Sequence, residues 1–326
     1  MRIVVIGGKG HIGTYLVPRL VESGFEVISV SRGQSKPYSN HGAWKFVKDV
    51  QLDRTALEKD HAFGQSIADL KPDVVVDLIN FETSSTIEMV EALRGKVQQY
   101  LYCSSVWAHG HATVVPATES DPKVGICDYG RKKRESELYL LDEARRGRFP
   151  ATTIGPGHIT GPGWTCINCA GNFNPRIFEK VLRGEEIALP HFGMEMLHHV
   201  HADDVAQMFH QAILRMPAAI GEDFYAVAPQ AITLRGLTED LFTYFGHPEA
   251  RIRYLPWKEW CEDTLAEEPE NGQSYINSTY SHLTHSDCYS IEKSCRLIGY
   301  RPRYTIPQAV HECVDSLIAR GVITKD

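Results

Sequence analysis

A short run rich in β-branched residues, Arg2-Ile3-Val4-Val5-Ile6, leads directly into Gly7-Gly8-Lys9-Gly10-His11-Ile12-Gly13, and this junction constrains the fold more than any other part of the chain. Ile12, Leu16, Leu20 and Val21 follow at helical spacing, and Gly24 stands where a helix-ending glycine belongs. A strand that stops at glycine and hands over to a helix starting near His11 gathers backbone N–H groups and the positive helix end at one point. That point suits a pyrophosphate. The spacing Gly7-x-x-Gly10-x-x-Gly13 allows a turn without Cβ clashes, close approach of a ligand to the backbone, and tight packing of helix on strand.

The same alternation continues. Runs at residues 2–6, 26–30, 44–47, 73–79, 99–103 and 151–154 read as strands, separated by helical patterns, which is the signature of a parallel sheet with crossover helices. After Pro156 come loops rich in glycine and proline, then helical stretches at 176–183 and 203–215 and a strand at 223–227 that returns to the sheet or its edge. The predicted class is α/β: a doubly wound Rossmann-type parallel sheet with a smaller C-terminal α/β substrate lobe. Two lobes also fit the length, because single cores stop growing at roughly 250–300 residues. We expect a dinucleotide-binding domain over 1–156 and a mainly substrate-binding lobe, partly interleaved with the sheet, over 157–326. The acidic stretch 262–271 reads as a mobile surface loop.

Composition narrows the function classes. The formal net charge is −7, from 34 basic and 41 acidic residues, with no basic block, so no nucleic-acid partner is expected. No apolar run approaches the roughly 20 residues that cross a bilayer, and no membrane partner is expected. The opening strand leaves no stretch that reads as a signal or transit peptide, so the expected location is the cytoplasm. Eight irregularly spaced cysteines suggest free thiols. Cys166-Ile-Asn-Cys169 lacks the second pair a zinc site needs, so no metal is expected.

The end of the second strand selects between dinucleotides, because an acidic side chain there holds a ribose hydroxyl and a basic one accommodates a 2′-phosphate. Here it reads Val30-Ser31-Arg32-Gly33. With Lys9 in the glycine turn, Arg32 can bracket a phosphate, which favours NADP(H), with NAD the alternative. An ordinary solvated cation is the other reading of each. Asp49, just past the predicted third strand, is placed to accept from an adenine amino group or to serve as a strand-end carboxylate.

Asp128-Tyr129-Gly130-Arg131-Lys132-Lys133 sets Tyr129 and Lys133 four residues apart, on one face of a helix. A neighbouring ammonium lowers a phenol's pKa from its usual value of about 10 and fits it for acid/base work on a hydroxyl or carbonyl. Upstream, Tyr100-Leu101-Tyr102-Cys103 ends in Ser104-Ser105 at the carboxyl edge of the sheet, where such folds place their ligand crevice.

In these features the chain resembles the extended short-chain dehydrogenase/reductase family, the NAD-dependent epimerase/dehydratase proteins. The resemblance also rests on Asp49, Gly110, Gly161-Pro162-Gly163, Val200-His201-Ala202-Asp203-Asp204-Val205 and Leu297-Ile298-Gly299-Tyr300-Arg301-Pro302. It implies a catalytic Ser105, Tyr129 and Lys133, with the tyrosine moving the proton, the serine polarising the reacting oxygen, and the lysine holding cofactor ribose and lowering the tyrosine pKa. Gly7, Lys9, Gly10, His11, Ile12, Gly13, Arg32 and Asp49 are the expected cofactor contacts. Ser104, the alternate serine, Trp107 and His158 are the candidate substrate contacts. The resemblance also implies a homodimer.

The sequence departs from the family pattern in ways that bear on substrate. Val106-Trp107 stands where dehydratases carry Asp-Glu, which disfavours dehydration. Arginines that pair with nucleotide phosphate are replaced in Met196-Leu197-His198-His199 and Thr153-Ile154-Gly155-Pro156. The expected substrate is therefore a carbohydrate-like molecule, with a free sugar or other small polyol favoured, undergoing net oxidation or reduction; the alternative is an NAD-dependent epimerase of a sugar or nucleotide sugar. A non-catalytic dinucleotide- or RNA-binding protein is the rival from another class. His158 is a candidate substrate contact or second acid/base or else a structural histidine; His198, His199 and His201 are close in sequence, and with His158 and His191 able to approach the same crevice a metal site or an auxiliary proton donor is the alternative reading.

Overall fold

The structure, a computed structural model, describes residues 1–286 and 288–324. The first half runs β1 (Arg2–Ile6), α1 (His11–Glu22), β2 (Glu26–Ser31), β3 (Lys48–Gln51), α2 (Arg54–Glu58), α3 (Phe63–Ala68), β4 (Val74–Asp77), α4 (Thr83–Leu93), β5 (Gln99–Cys103), α5 (Asp128–Arg145) and β6 (Ala151–Pro156). Next come β7 (His158–Thr160), α6 (Arg176–Leu182), β8 (Ile187–Pro190), β9 (Met196–Leu197), β10 (His199–His201), α7 (Ala202–Leu214), α8 (Met216–Ala219) and β11 (Asp223–Ala226). The chain ends with β12 (Ile232–Thr233), α9 (Leu234–Tyr244), β13 (Ile252–Leu255), α10 (Trp257–Glu267), α11 (Gly272–His285), α12 (Glu292–Ile298) and α13 (Ile306–Ala319).

Seven strands pair in parallel in the order β11-β6-β5-β4-β1-β2-β3. The order reverses between β1 and β4, and a crevice opens at the carboxyl ends of the strands at such a reversal. Alternation along β1 serves both faces: Ile3 and Val5 pack with Leu16, Leu20, Val205 and Phe209 of α1 and α7. Val4 and Ile6 pack with Phe63, Met89, Leu93 and Leu140 of α3, α4 and α5. With both faces covered, the strand reads as continuously apolar. A further core, including Phe178, Leu189, Leu241, Trp260 and Val310, lies among α6, β8, α9, α10 and α13.

The Asp203-Asp204 motif is a fastener between parts of the fold. Asp203 accepts from the Arg19 guanidinium of α1 at 2.9 Å and 2.5 Å and also pairs with Arg303. Asp204 accepts backbone N–H groups of Arg303 and Tyr304 at 2.9 Å and 3.0 Å. The edge strand expected near 223–227 is β11, beside β6.

Two expectations are corrected. Residues 42–46 form a 3₁₀ turn, with the His41 Nδ1 accepting from Ala43 N at 3.2 Å, and the third strand follows it at Lys48–Gln51. Asp49 therefore lies within that strand, opposite Ser29, rather than past its end. The stretch 262–271, expected as a loop, is helical as far as Glu267. No helix among the described residues is long and apolar enough to cross a membrane.

Candidate active site

The glycine turn has the geometry its sequence suggests. Gly7 N donates to Val30 O at 2.9 Å, Gly10 N returns to Gly7 O at 3.0 Å, and Gly10 caps α1 without any side-chain acceptor. The first-turn N–H groups are thus left for a ligand. Gly7 has φ +84°, and a Cβ there would sit 2.8 Å from Ile79. A Cβ on Gly13 would collide with the backbone of Gly8, which is why helix and strand can meet so closely. The turn opens onto a cavity of about 590 Å³ lined by residues that include Arg32, Asp53, Arg54 and Phe63. A second crevice, of about 480 Å³, shares Gly7, Gly10, Ile79 and Phe81 with it. A cradle that a Cβ would fill, joined to an elongated double cavity, fits a dinucleotide.

The cofactor-side residues divide. Arg32 is exposed at the end of β2 and lines the first cavity; among the described residues it makes no ion pair. Lys9 lines the same cavity and is also paired with Asp49 at 2.8 Å, while Asp49 itself does not line that cavity. Asp53, which caps α2, takes the wall position. Arg54, unmarked by any sequence motif, donates two hydrogen bonds to the buried Asp77 at 2.8 Å and 2.9 Å and lies 4.8 Å over the Phe63 ring. Burial alone would raise the Asp77 pKa, yet the guanidinium outweighs it and holds the carboxyl below its usual range. His11 stacks on Trp164 with ring centres 3.5 Å apart, and burial pulls its pKa down to about 4.

Helix α5 brings the reaction residues together. Cys127 caps it through sulfur, and Asp128 in the first turn complements the helix dipole. The buried stripe Gly130, Lys133, Glu137 and Leu140 recurs at helical spacing, so the lysine is carried inward while Tyr129 stays at the mouth, 39% exposed. Gly130 is required by the approach, since a Cβ there would strike the carbonyl of Trp107. Lys133 Nζ donates to Asn80 O at 2.6 Å and Cys103 O at 2.7 Å, tying the helix to the ends of β4 and β5, and sits 5.7 Å from the Tyr129 ring centre.

Ser105, Tyr129 and Lys133 all line the second crevice, together with Ser104, Trp107 and His158. Ser105 Oγ accepts from Trp107 N at 3.3 Å, which leaves its own hydrogen to donate. Ser104 Oγ is buried with no partner among the described residues. Burial raises the Tyr129 pKa to about 12, against the pull of the nearby Ser105 hydroxyl, and lowers that of Lys133 to about 8. Burial, and not Lys133, is the main influence on the phenol in the protein alone. The ammonium gives two of its three hydrogens to carbonyls, and desolvation of the phenol dominates.

The other histidines are set apart by geometry. His198 and His199 are buried with Nε2 bonded to Ala228 O at 2.9 Å and Ile167 O at 3.0 Å, and His201 caps α7. His191 lies outside the crevice, against Glu195 and Trp257. All eight cysteines are free, and Cys166 and Cys169 are buried in the further core. Two crevice residues, Phe173 and His282, have no sequence motif; His282 arrives on α11, from a distant part of the chain.

The model of the NAD dependent epimerase/dehydratase family matches residues 3–227. The chain belongs to this family. One relative, the chloroplast stem-loop binding protein of 41 kDa b of Arabidopsis thaliana, is 25% identical over 100% of this chain and 81% of its own length. The 2'-dehydrokanamycin reductase of Streptomyces kanamyceticus is 34% identical over 41% of this chain and 36% of its own length. Among solved structures, the UDP-glucose 4-epimerase of Thermotoga maritima superposes with a TM-score of 0.72 at 21% identity, covering 99% of this chain and 100% of that one. The UDP-glucuronic acid 4-epimerase of Bacillus cereus in complex with NAD gives 0.71 at 16%, over 99% and 100%. At these identities the structural likeness shows a shared Rossmann-type fold.

Proposed function

We propose that the protein is an NAD(P)-dependent oxidoreductase that moves a hydride at a hydroxyl or carbonyl carbon of a carbohydrate-like substrate, held mainly by the lobe over residues 157–326. The observation that carries this reading is the convergence of Ser105, Tyr129 and Lys133 on a crevice continuous with the glycine cradle. The sugar-linked names of several relatives support it.

In this reading the N–H groups of α1 hold the pyrophosphate, Lys133 meets the nicotinamide ribose, and Arg32 faces a 2′-phosphate, which favours NADP(H). When bound, the dinucleotide supplies or accepts the hydride. Tyr129, held as a phenol at neutral pH, gives its proton to a carbonyl oxygen under reduction and becomes the phenolate; in oxidation the phenolate takes the hydroxyl proton and becomes the phenol. Ser105 donates to the same oxygen and fixes its position. No arginine lines the second crevice among the described residues, so a nucleotide diphosphate lacks its bidentate partner there.

A second reading, a nucleic-acid-binding protein on the same fold, draws on the full-length alignment with the stem-loop binding protein. The retained serine, tyrosine and lysine and the net charge of −7 speak against it. Incubation with NADP(H) or NAD(H) and a panel of sugars separates the cases. Net change in the cofactor supports the oxidoreductase, inverted sugar with unchanged cofactor supports an epimerase, and failure to bind either dinucleotide overturns both.

A further inference from the structure

Helix α11 contributes one side chain, His282, to the lining of the reaction crevice. Its orientation is fixed from several directions. Nδ1 lies 2.8 Å from Gly171 O, a pure acceptor, so Nδ1 carries the hydrogen and Nε2 presents a bare lone pair. The ring edges against His158, Phe173 and Trp107 at 5.1, 5.7 and 5.7 Å.

The backbone beneath is equally constrained. Thr279 of the same helix donates to Ala170 O at 2.9 Å and accepts from Asn172 at 3.0 Å, while Asn168 bonds Asn172 and Asn174 O at 2.8 and 2.9 Å. Gly171, with φ +79°, lies so near α11 that a Cβ would stand 2.7 Å from Leu283. Among the described residues Nε2 has no protein hydrogen bond. Burial pulls the His282 pKa down to about 4, so the ring is neutral near neutral pH.

A fixed, neutral acceptor discriminates between ligands. A hydroxyl can donate to it, whereas a carboxylate or phosphate presents lone pair to lone pair. Lys133, the crevice's one lysine among the described residues, gives two of its hydrogens to carbonyls and in the proposed reading its third to the cofactor ribose, and no arginine lines the crevice to meet an anion. We propose that His282 is a specificity-determining residue whose Nε2 accepts a hydrogen bond from a hydroxyl of an uncharged polyhydroxylated substrate, such as a free sugar, and excludes carboxylates and phosphates from that position. The proposal rests on the reading of this crevice as the substrate site.

The test is calorimetric titration of the dinucleotide-saturated protein with D-galactose and D-xylose, and with D-galacturonate and D-galactose 6-phosphate. The neutral sugars bind at least about ten-fold more tightly than the acids, the factor that one lost hydrogen bond confers. His282→Phe, which keeps the ring but not the acceptor, weakens the neutral sugars by about the same factor without changing dinucleotide affinity. His282→Gln restores an acceptor and recovers binding, and His282→Lys shifts preference toward galacturonate. The proposal is overturned if no neutral sugar binds, if the acids bind equally well, or if His282→Phe leaves sugar affinity unchanged. Binding of neutral sugars without turnover would instead overturn the proposed reaction and leave the role of His282 intact.

Discussion

Tyr129 shows how far a spacing rule reaches at the level of single residues. Four-residue separation places it on the same side of α5 as Lys133, but the ammonium lies under the ring and is engaged by Asn80 and Cys103 carbonyls. The phenol is then governed by burial, which suits it to act as an acid at neutral pH. On the cofactor side, Lys9 is paired with Asp49 while Arg32 makes no ion pair among the described residues, and in the proposed reading Arg32 faces a 2′-phosphate. Arg32→Asp should therefore weaken NADP(H) by about ten-fold or more, in line with one lost charge-assisted hydrogen bond of roughly 1.5–3 kcal/mol, and spare NAD(H). Fluorescence titration of both cofactors checks this, and an unchanged ratio of affinities removes Arg32 from the selection.

Among the elements, those that pack against two neighbours were legible and those at the rim were not. Strand β1 is apolar from Ile3 to Ile6 because both its faces are covered, whereas β3 is an edge strand, mostly exposed, that pairs only with β2. The apolar signal near it belongs to the preceding 3₁₀ turn, and this displaced the predicted strand. Helix α10 buries only Trp260 fully, so its acidic surface resembled a loop. The start of α5 carries a sharper lesson. An exposed helical glycine usually gains about 0.5–1 kcal/mol on replacement by alanine. Gly130→Ala should do the opposite, because its Cβ meets the Trp107 carbonyl. We expect a loss of about 1–3 kcal/mol in urea unfolding and a fall in kcat of about 100-fold, as Tyr129 and Lys133 shift from Ser105. A variant more stable and fully active would show that the contact does not set the site.

Across the whole molecule, the proposed reaction site draws on sequence-local and sequence-distant groups, and only the first kind could be read in advance. Ser105, Tyr129 and Lys133 follow a strand end and a helical spacing, while His282 and Phe173 reach the crevice through packing that no short motif records. The interleaving of the chain has its own electrostatic joint. Asp223 on β11 accepts from Lys123 at 2.6 Å and Lys293 at 2.8 Å, and although burial would raise its pKa, the two ammonium groups hold it at about 2. Because the folded pKa is depressed, this stabilisation is present above the unfolded value of about 3.9 and is lost as pH falls toward 2, a contribution of about 2.5 kcal/mol. Asp223→Asn should cost about 3–5 kcal/mol near neutral pH and flatten the loss of stability on acidification. Urea unfolding at several pH values checks both, and an unchanged acid slope would assign that slope to other carboxylates.

The account depends most on the Tyr129 proton acting beside a bound dinucleotide. The direct measurement compares Tyr129→Phe with the parent protein for dinucleotide affinity and for kcat on a sugar that the parent turns over. The expected result is unchanged dinucleotide affinity with kcat reduced about 10²–10⁴-fold, the range a positioned acid/base contributes. Full turnover by Tyr129→Phe would contradict the assignment of this site.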